Sequence, residues 1–530
     1  MEDNGVPTRD AQFWRDLRER ARRIRDASVA ELLAIEYVSD ADEPSPPATP
    51  VATASEPATP ATPSSSEALP ERDRPVAPRM VESHPDRFCF VTGKLNGVLQ
   101  PTEPYRGVTV IGPVRSGKTT GIIVPAIARQ RVRTITISVR ADVINATLPS
   151  RWGNDPVWIV DPMGMLSSHN TTGWNPLTLC HGWDACVDFA YSFVMSAAMT
   201  GILDMGFWYA KAAQLLAPLL FAAAKNGYSM GDVARWVRDQ DDFEVRALLQ
   251  ATGHDIAISS FESIATLEDR ARGSIYTTLH ASLRVFDSSQ VVAATTGEGF
   301  DLDEFFASEA GVLYLAAPPH RQRQLAPLYS ALINHVIFRA VEENLRTSVP
   351  ADLLVLLDEA GNFPVPNLDI MATTAAGSGI QLVTVFHDVS QIVSLYGEAR
   401  TQTILSNQSA LLILPGARDA RTAELVELLL AGSEIAANAN DEISGAAFLR
   451  RMKKGTAIYF YDTNEPKEVK LQCSWDDDDL KEKLTASDEG IAWMLMRKAS
   501  PERSAEGDIG GTIRAALGDR SKRSGAPRRA

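Results

Sequence analysis

Four cysteines in 530 residues are too few and too scattered to staple a fold. They stand at Cys89, Cys180, Cys186 and Cys473; only the middle two are close, and their spacing fits no common zinc pattern. Buried thiols in a reducing cytoplasm are the expectation. Positive charge is scarce as well: 52 Lys and Arg face 67 Asp and Glu, a net charge of −15. That balance argues against a surface that coats nucleic acid everywhere, yet it is compatible with a local basic channel. No run reaches the ~18 to 20 apolar residues of a spanning helix. The best one, Ala212 to Ala224, contains Gln214 and Pro218 and is flanked by Lys211 and Lys225, so it reads as a buried core helix. The opening MEDNGVPTRD lacks the basic start and apolar core of a secretion signal. Neither G-x-S-x-G nor H-E-x-x-H occurs, which removes the common serine- and zinc-hydrolase readings.

What remains is ordinary globular composition, 45% hydrophobic and 22% charged, in a chain long enough for three or four domain-sized units. Residues 8 to 37 read as one amphipathic helix, with seven arginines between Arg9 and Arg25. Such a helix can lie on an anionic membrane, pack against a partner helix, or dock on its own domain. Residues 39 to 79 hold ten of the 31 prolines and almost no large apolar residue. That stretch cannot bury enough surface to offset its ordering entropy, so a disordered tether is expected.

Alternating short strands and helices follow. VTVIG (108–112), TITISV (134–139), VWIVD (157–161), VLYLAAP (312–318), LLVLLDE (353–359), QLVTVF (381–386) and ALLILPG (410–416) are nearly continuous apolar runs. Runs of this kind suit parallel strands covered by helices on both faces. TAIYFYD and KEVKLQ, separated by TNEP, predict a hairpin at the sheet edge. Between 175 and 295 the text is helical: Asp184 to Thr200, Phe207 to Lys225, Met230 to Asp239, Phe243 to Ala251 and Ile256 to Phe286. The chain ends in an acidic stretch, Asp476 to Asp479, and then a basic one. Residues 497 to 530 carry nine Lys or Arg against four Asp or Glu, an expected disordered tail that can touch nucleic acid or anionic lipid.

Two motifs carry chemistry. Gly112-Pro113-Val114-Arg115-Ser116-Gly117-Lys118-Thr119 satisfies G-x-x-x-x-G-K-[ST], after an apolar strand and leading into the apolar helical stretch TTGIIVPAIARQ, which opens with Thr119 and Thr120. The glycines let backbone N–H groups curl around phosphate oxygens, and the helix N-terminus adds its positive end. Lys118 is placed to reach the β- and γ-phosphates and Thr119 to ligate Mg²⁺, which makes a nucleotide such as ATP the expected ligand. LLVLLDE ends in two carboxylates: Asp358 suits the Mg²⁺ shell and Glu359 suits polarising the attacking water.

GPVRSGKTTGIIVP, WNPL (174–177), LLVLLDEAGNFP, GIQLVTVFHDVSQI, YGEARTQTILSNQSALLIL and TAELVELLLAG, in that order, resemble the VirD4/TraG family of conjugative coupling proteins, in its actinobacterial-type branch. The likeness runs from about residue 85 to residue 470. It implies an α/β, RecA-like P-loop ATPase with a mostly parallel sheet, assembled as a homo-hexamer at the base of a type IV secretion channel. Such a protein recruits relaxase-bound DNA or protein substrates and passes them on with ATP and Mg²⁺. The implied division is an N-terminal helix (1–38), a linker (39–80), the ATPase domain (81–174 and 296–472), an all-α insertion that recognises substrates (175–295) and a tail (473–530).

The sequence departs from the family pattern in three places. Family members usually begin with membrane-spanning helices; here a tethered helix stands instead, so anchoring at the inner face of the cell membrane falls to a partner. Where many carry Gln in the strand after the paired acids, this chain has His387, followed by Asp388; the neutral ring of His387 can still donate a hydrogen bond towards a phosphate or water. Where many carry an arginine, it has Ala376, which leaves Arg272, Arg418 and Arg421 as candidates for a charge supplied across a subunit boundary. Arg140 and Asp142 read as a polar contact at the carboxyl end of the sheet or a surface ion pair, and Asn175 as a turn former. Two alternatives stay open: a HerA/FtsK-like DNA translocase with no secretion role, and a nucleotide-gated adaptor that hardly turns over ATP.

Overall fold

The computed structural model describes residues 89–480, apart from 139–140, 152–154, 167–170, 200–205, 439–443, 474–476 and 479. The helix expected at 8–37, the linker at 39–79 and the basic tail lie outside the described residues. The chain divides into Met1–Glu82 and Ser83–Ala530, and every described residue belongs to the second unit.

Each of the seven apolar runs forms a strand, and all seven lie side by side. They are β3 (Val108–Ile111), β4 (Arg133–Ser138), β5 (Val157–Val160), β6 (Val312–Ala316), β7 (Leu353–Leu357), β8 (Ile380–Phe386) and β9 (Ala410–Ile413). Their order is β9-β3-β8-β7-β4-β6-β5, every neighbouring pair parallel. Parallel strands are joined by crossovers that lay helices on the faces, which is why β3, β6, β7, β8 and β9 are buried at every residue. Each fully buried Val, Leu or Ile contributes roughly 1.5–3 kcal/mol relative to exposure.

The remaining four strands are antiparallel and extend the sheet beyond β9. β10 (Thr456–Tyr461) pairs with β9 and with β11 (Lys467–Lys470); β11 in turn pairs with β1 (Val91–Leu95), and β1 with β2 (Val98–Pro101). The β10–β11 hairpin is therefore internal, and β2 takes the edge expected for it. Asn96 and Gly97, at φ 51° and 84°, make the tight turn between β1 and β2. An Asn-Gly pair is a strong hairpin signal, and the apolar-run criterion passed over it.

Between β5 and β6 the chain is helical. The central helix, Gly206–Asn226, is long and apolar enough by length and composition to cross a membrane, which the shorter apolar run did not suggest. Most of it is buried among its neighbours, Trp183–Met199, Asp255–Ala265 and Asp269–Ser282, as a core helix is. The stretch expected as one helix from Ile256 to Phe286 is broken at Thr266 into Asp255–Ala265 and Asp269–Ser282, with a 3₁₀ turn at Leu283–Asp287. No Gly or Pro stands at that break. Each half is tied separately to the helix Asp242–Thr252, through Arg246–Glu262 at 2.5 Å and Arg272–Asp242 at 3.1 Å. The entering and leaving segments run against each other, with Phe300 N–H donating to Gly173 O at 2.7 Å; a Cβ on Gly299 would sit 2.0 Å from that carbonyl oxygen. Of the cysteines, Cys180 and Cys186 are buried, but Cys89 and Cys473 are partly exposed, contrary to the expectation of four buried thiols.

Candidate functional site

The strand order brings the carboxyl ends of β3, β8 and β7 together. Apolar runs end at those points, and the polar residues that follow each run share one cleft. The loop Gly112–Thr119 leaves β3 and turns sharply, with Arg115 at φ 65° and Gly117 at φ 97°. Gly112 must lack a side chain: a Cβ there would lie 2.8 Å from Leu414 Cβ and from Ser116 Oγ. The loop passes into one π-helical turn, Thr119–Ile123, and then the helix Val124–Arg129.

Lys118 folds back into the loop. Its Nζ donates to Gly112 O at 2.6 Å and to Pro113 O at 2.9 Å, and lies 3.3 Å from His387 Nδ1. The side chain is 7% exposed, and burial pushes its ammonium pKa down against the pull of Glu359 and Asp358. Thr119 Oγ1 donates to Asp358 Oδ2 at 3.2 Å. Glu359, held at φ 65°, receives His387 Nε2 at 3.1 Å. The bond to Glu359 raises the pKa of His387, while desolvation and Lys118 oppose it. One tautomer satisfies both neighbours: Nε2–H donates to Glu359, and Nδ1 accepts from Lys118.

Lys118, Thr119, Asp358, Glu359 and His387 are thus linked by direct contacts, although about 270 residues separate the first from the last. Val114, Arg115 and Thr120 sit exposed on the rim. Ser116 Oγ is buried and has no hydrogen-bond partner among the described residues. Two residues that the motif patterns passed over complete the cluster. Asn362 Nδ2 donates to Glu359 Oε2 at 3.0 Å, and Gln391 Oε1 accepts from the His387 N–H at 2.9 Å. The Gly-Asn pair after DEA was the available signal for Asn362, as a turn marker; for Gln391 there was none.

The chain matches the family model described as "Type IV secretory system Conjugative DNA transfer" over residues 63–432. It belongs to that family. Two solved structures of a coupling protein share its fold. The bacterial conjugative coupling protein TrwBdeltaN70, unbound, aligns with a TM-score of 0.55 at 18% identity, covering 72% of this chain and 88% of that one. The plasmid coupling protein TrwB in complex with ADP and Mg²⁺ aligns with a TM-score of 0.54 at 19% identity, covering 72% and 89%. No curated protein matches the chain. This is a VirD4/TraG-type coupling protein with the RecA-like fold.

The coupling protein's departures from its family lie as follows. Ala376 lines a cavity of about 200 Å³ near the amino ends of β3, β8 and β9, with Tyr105, Arg106 and Gln408. Of the three arginines considered in its place, Arg272 is tied to Asp242 and Asp269, and Arg421 to Glu398. Arg418 is exposed just past β9, close to the phosphate loop: a Cβ on its neighbour Gly416 would be 3.7 Å from Pro113. Asn175 Oδ1 accepts from the Leu177 N–H at 3.1 Å and caps the 3₁₀ turn Pro176–Leu179. Arg140 and the side chain of Asp142 lie outside the described residues.

Proposed function

We propose that this chain is the ATP-hydrolysing coupling protein of a conjugative type IV secretion system, which recruits DNA or protein substrates and drives them to the channel. The carrying observation is the convergence of Lys118, Thr119, Asp358, Glu359 and His387 at the carboxyl ends of three adjacent parallel strands. Ligands of open α/β sheets bind at that end.

The residues fit ATP and Mg²⁺. Ser116 carries a buried hydroxyl with no partner among the described residues, the loop turns sharply at Arg115 and Gly117, and a hydroxyl stands against a carboxylate where Thr119 and Asp358 would hold the ion. When bound, Mg²⁺ neutralises charge developing on the phosphates. Lys118 exchanges its bonds to Gly112 and Pro113 for phosphate oxygens. Glu359 takes a proton from the water that attacks the terminal phosphorus; the bond to the departing ADP oxygen breaks, and its electron pair leaves with ADP. His387 steadies Glu359 by donating Nε2–H to its carboxylate.

Several exposed cations offer a polyanion a landing place at the same end of the sheet. Arg450, Arg451, Lys453 and Lys454 follow one another around the end of the helix Gly445–Arg451. That helix bonds to Gly416, next to the phosphate loop, through Gly416 N–H and Leu449 O. The finer assignments belong to the same reading: a homo-hexameric ring, a substrate-recognising helical insertion at 175–295, relaxase and channel subunits as partners, and attachment at the inner face of the cell membrane through one of them.

ATP turnover of the purified chain, with and without DNA and at several protein concentrations, tests the proposal. Turnover that rises with both supports an assembling motor. Measurable ATP binding with flat, near-zero turnover would favour a nucleotide-gated adaptor, which Ala376 and His387 make the strongest rival. DNA-stimulated turnover in a chain that captures neither relaxase nor channel subunits would point to a free-standing translocase.

A further inference from the structure

One oxygen of the Glu359 carboxylate is held from two sides. Its Oε2 accepts from Asn362 Nδ2 at 3.0 Å and from His387 Nε2 at 3.1 Å. The backbone supports the first of these bonds: Asn362 N–H donates to Glu359 O at 2.8 Å, so Glu359 to Asn362 form a closed turn. Glu359 itself sits in the left-handed region, at φ 65°, a conformation that costs a non-glycine residue energy and persists only where its surroundings demand it. Ala360 N–H, inside the turn, donates to Val385 O on β8 at 3.0 Å, which pins the turn to the strand that carries His387.

The second partner is fixed as well. Gln391 accepts from the His387 backbone N–H at 2.9 Å, and its side chain lies where a Cβ on Gly361 would be, 2.0 Å from its Cδ and Nε2. Gly361 is thus bare where Gln391 must pass. The two carboxylate-holding groups cannot drift apart, because the turn and the imidazole brace each other through that contact.

We propose that Asn362 is the positioning residue of Glu359. By holding Oε2 together with His387, it sets the rotation of the carboxylate that accepts the water proton. The inference rests on the hydrolytic reading above. A wandering carboxylate would still bind nothing less of the nucleotide, so the consequence of losing Asn362 falls on the chemical step.

The test is a double-mutant cycle read by turnover and by single-turnover hydrolysis at excess protein. Asn362→Ala should lower kcat about 10-fold and leave KM for ATP within about 2-fold. Asn362→Ser, which keeps a short donor, should recover part of the loss. In a Glu359→Ala chain the same Asn362→Ala change should alter the residual rate by less than about 2-fold, because its target is gone. An equal loss in both backgrounds, a loss confined to KM, or no loss at all would overturn the proposal. A chain that unfolds on Asn362→Ala leaves the serine variant to decide: a decrease absorbed by Glu359→Ala supports the role, and an additive decrease or none at all refutes it. No turnover in the unaltered chain would overturn the hydrolytic reading, and this inference with it.

Discussion

The two ends of the parallel sheet are built from the same strands and treat their polar groups in opposite ways. At the carboxyl end, Lys118, Thr119, Asp358, Glu359 and His387 are bonded to one another, and the buried hydroxyl of Ser116 is left over. At the amino end, the cavity beside Ala376 is walled partly by Gln408, which is 5% exposed and whose two amide atoms have no hydrogen-bond partner among the described residues. A buried polar group without a partner costs roughly 1–3 kcal/mol. The first end spends conformational strain and buried charge on a constellation; the second carries a similar burden with no constellation around it. Buried polarity alone therefore does not mark a site. What marks one is several such groups converging on a common point.

Removing the central cation should sharpen that difference most. Lys118→Ala is expected to weaken ATP binding by about 100-fold or more, since it deletes a buried charge aimed at the phosphates; equilibrium binding of a labelled ATP analogue measures it. Next, Glu359→Gln should retain ATP binding and lose about 10²- to 10³-fold in kcat. Full turnover in that variant would take Glu359 out of the mechanism and leave the two ends of the sheet less different than they look.

A smaller effect is expected from pH. The bond to Glu359 raises the folded pKa of His387 above its unfolded value. A raised histidine contributes stability that is complete below the unfolded pKa, near ~6.5, and is lost as pH rises through the folded value. Thermal melts of the unaltered and His387→Gln chains should accordingly differ most below that pH and converge as pH rises through the folded value. A constant gap would mean that the pair does not titrate as described. The smallest change is expected at the other end: Gln408→Leu should be neutral or stabilising by about 1 kcal/mol, because it removes two unbonded polar atoms. A clear loss of stability in denaturant would show that the amide has a partner in solution, and would make the two ends alike.

Much of this was legible beforehand. A parallel strand covered on both faces has no polar face, so seven apolar runs announced seven strands, and the residues just after β3 and β7 announced the phosphate loop and its acids. The antiparallel strands were harder to place: β1, with Gly93 and Lys94, has no continuous apolar run, and its Asn-Gly turn was the only mark. The helical region was legible in content and not in its joints, since no Gly or Pro marks the break at Thr266. Asn362 and Gln391 escaped because an asparagine or glutamine reads alike in a turn, a cap or a site until its partner is in view.

By itself the sequence determined which segments become strands and which loop carries the phosphate-binding pattern, because periodicity, turn residues and motif spacing act over a few neighbouring residues. Only the tertiary structure decided the strand order, the internal place of the β10–β11 hairpin and the meeting of Lys118 with Glu359 and His387. Those depend on pairing between segments hundreds of residues apart, and such pairing is selected by the burial of the whole sheet rather than by any local preference.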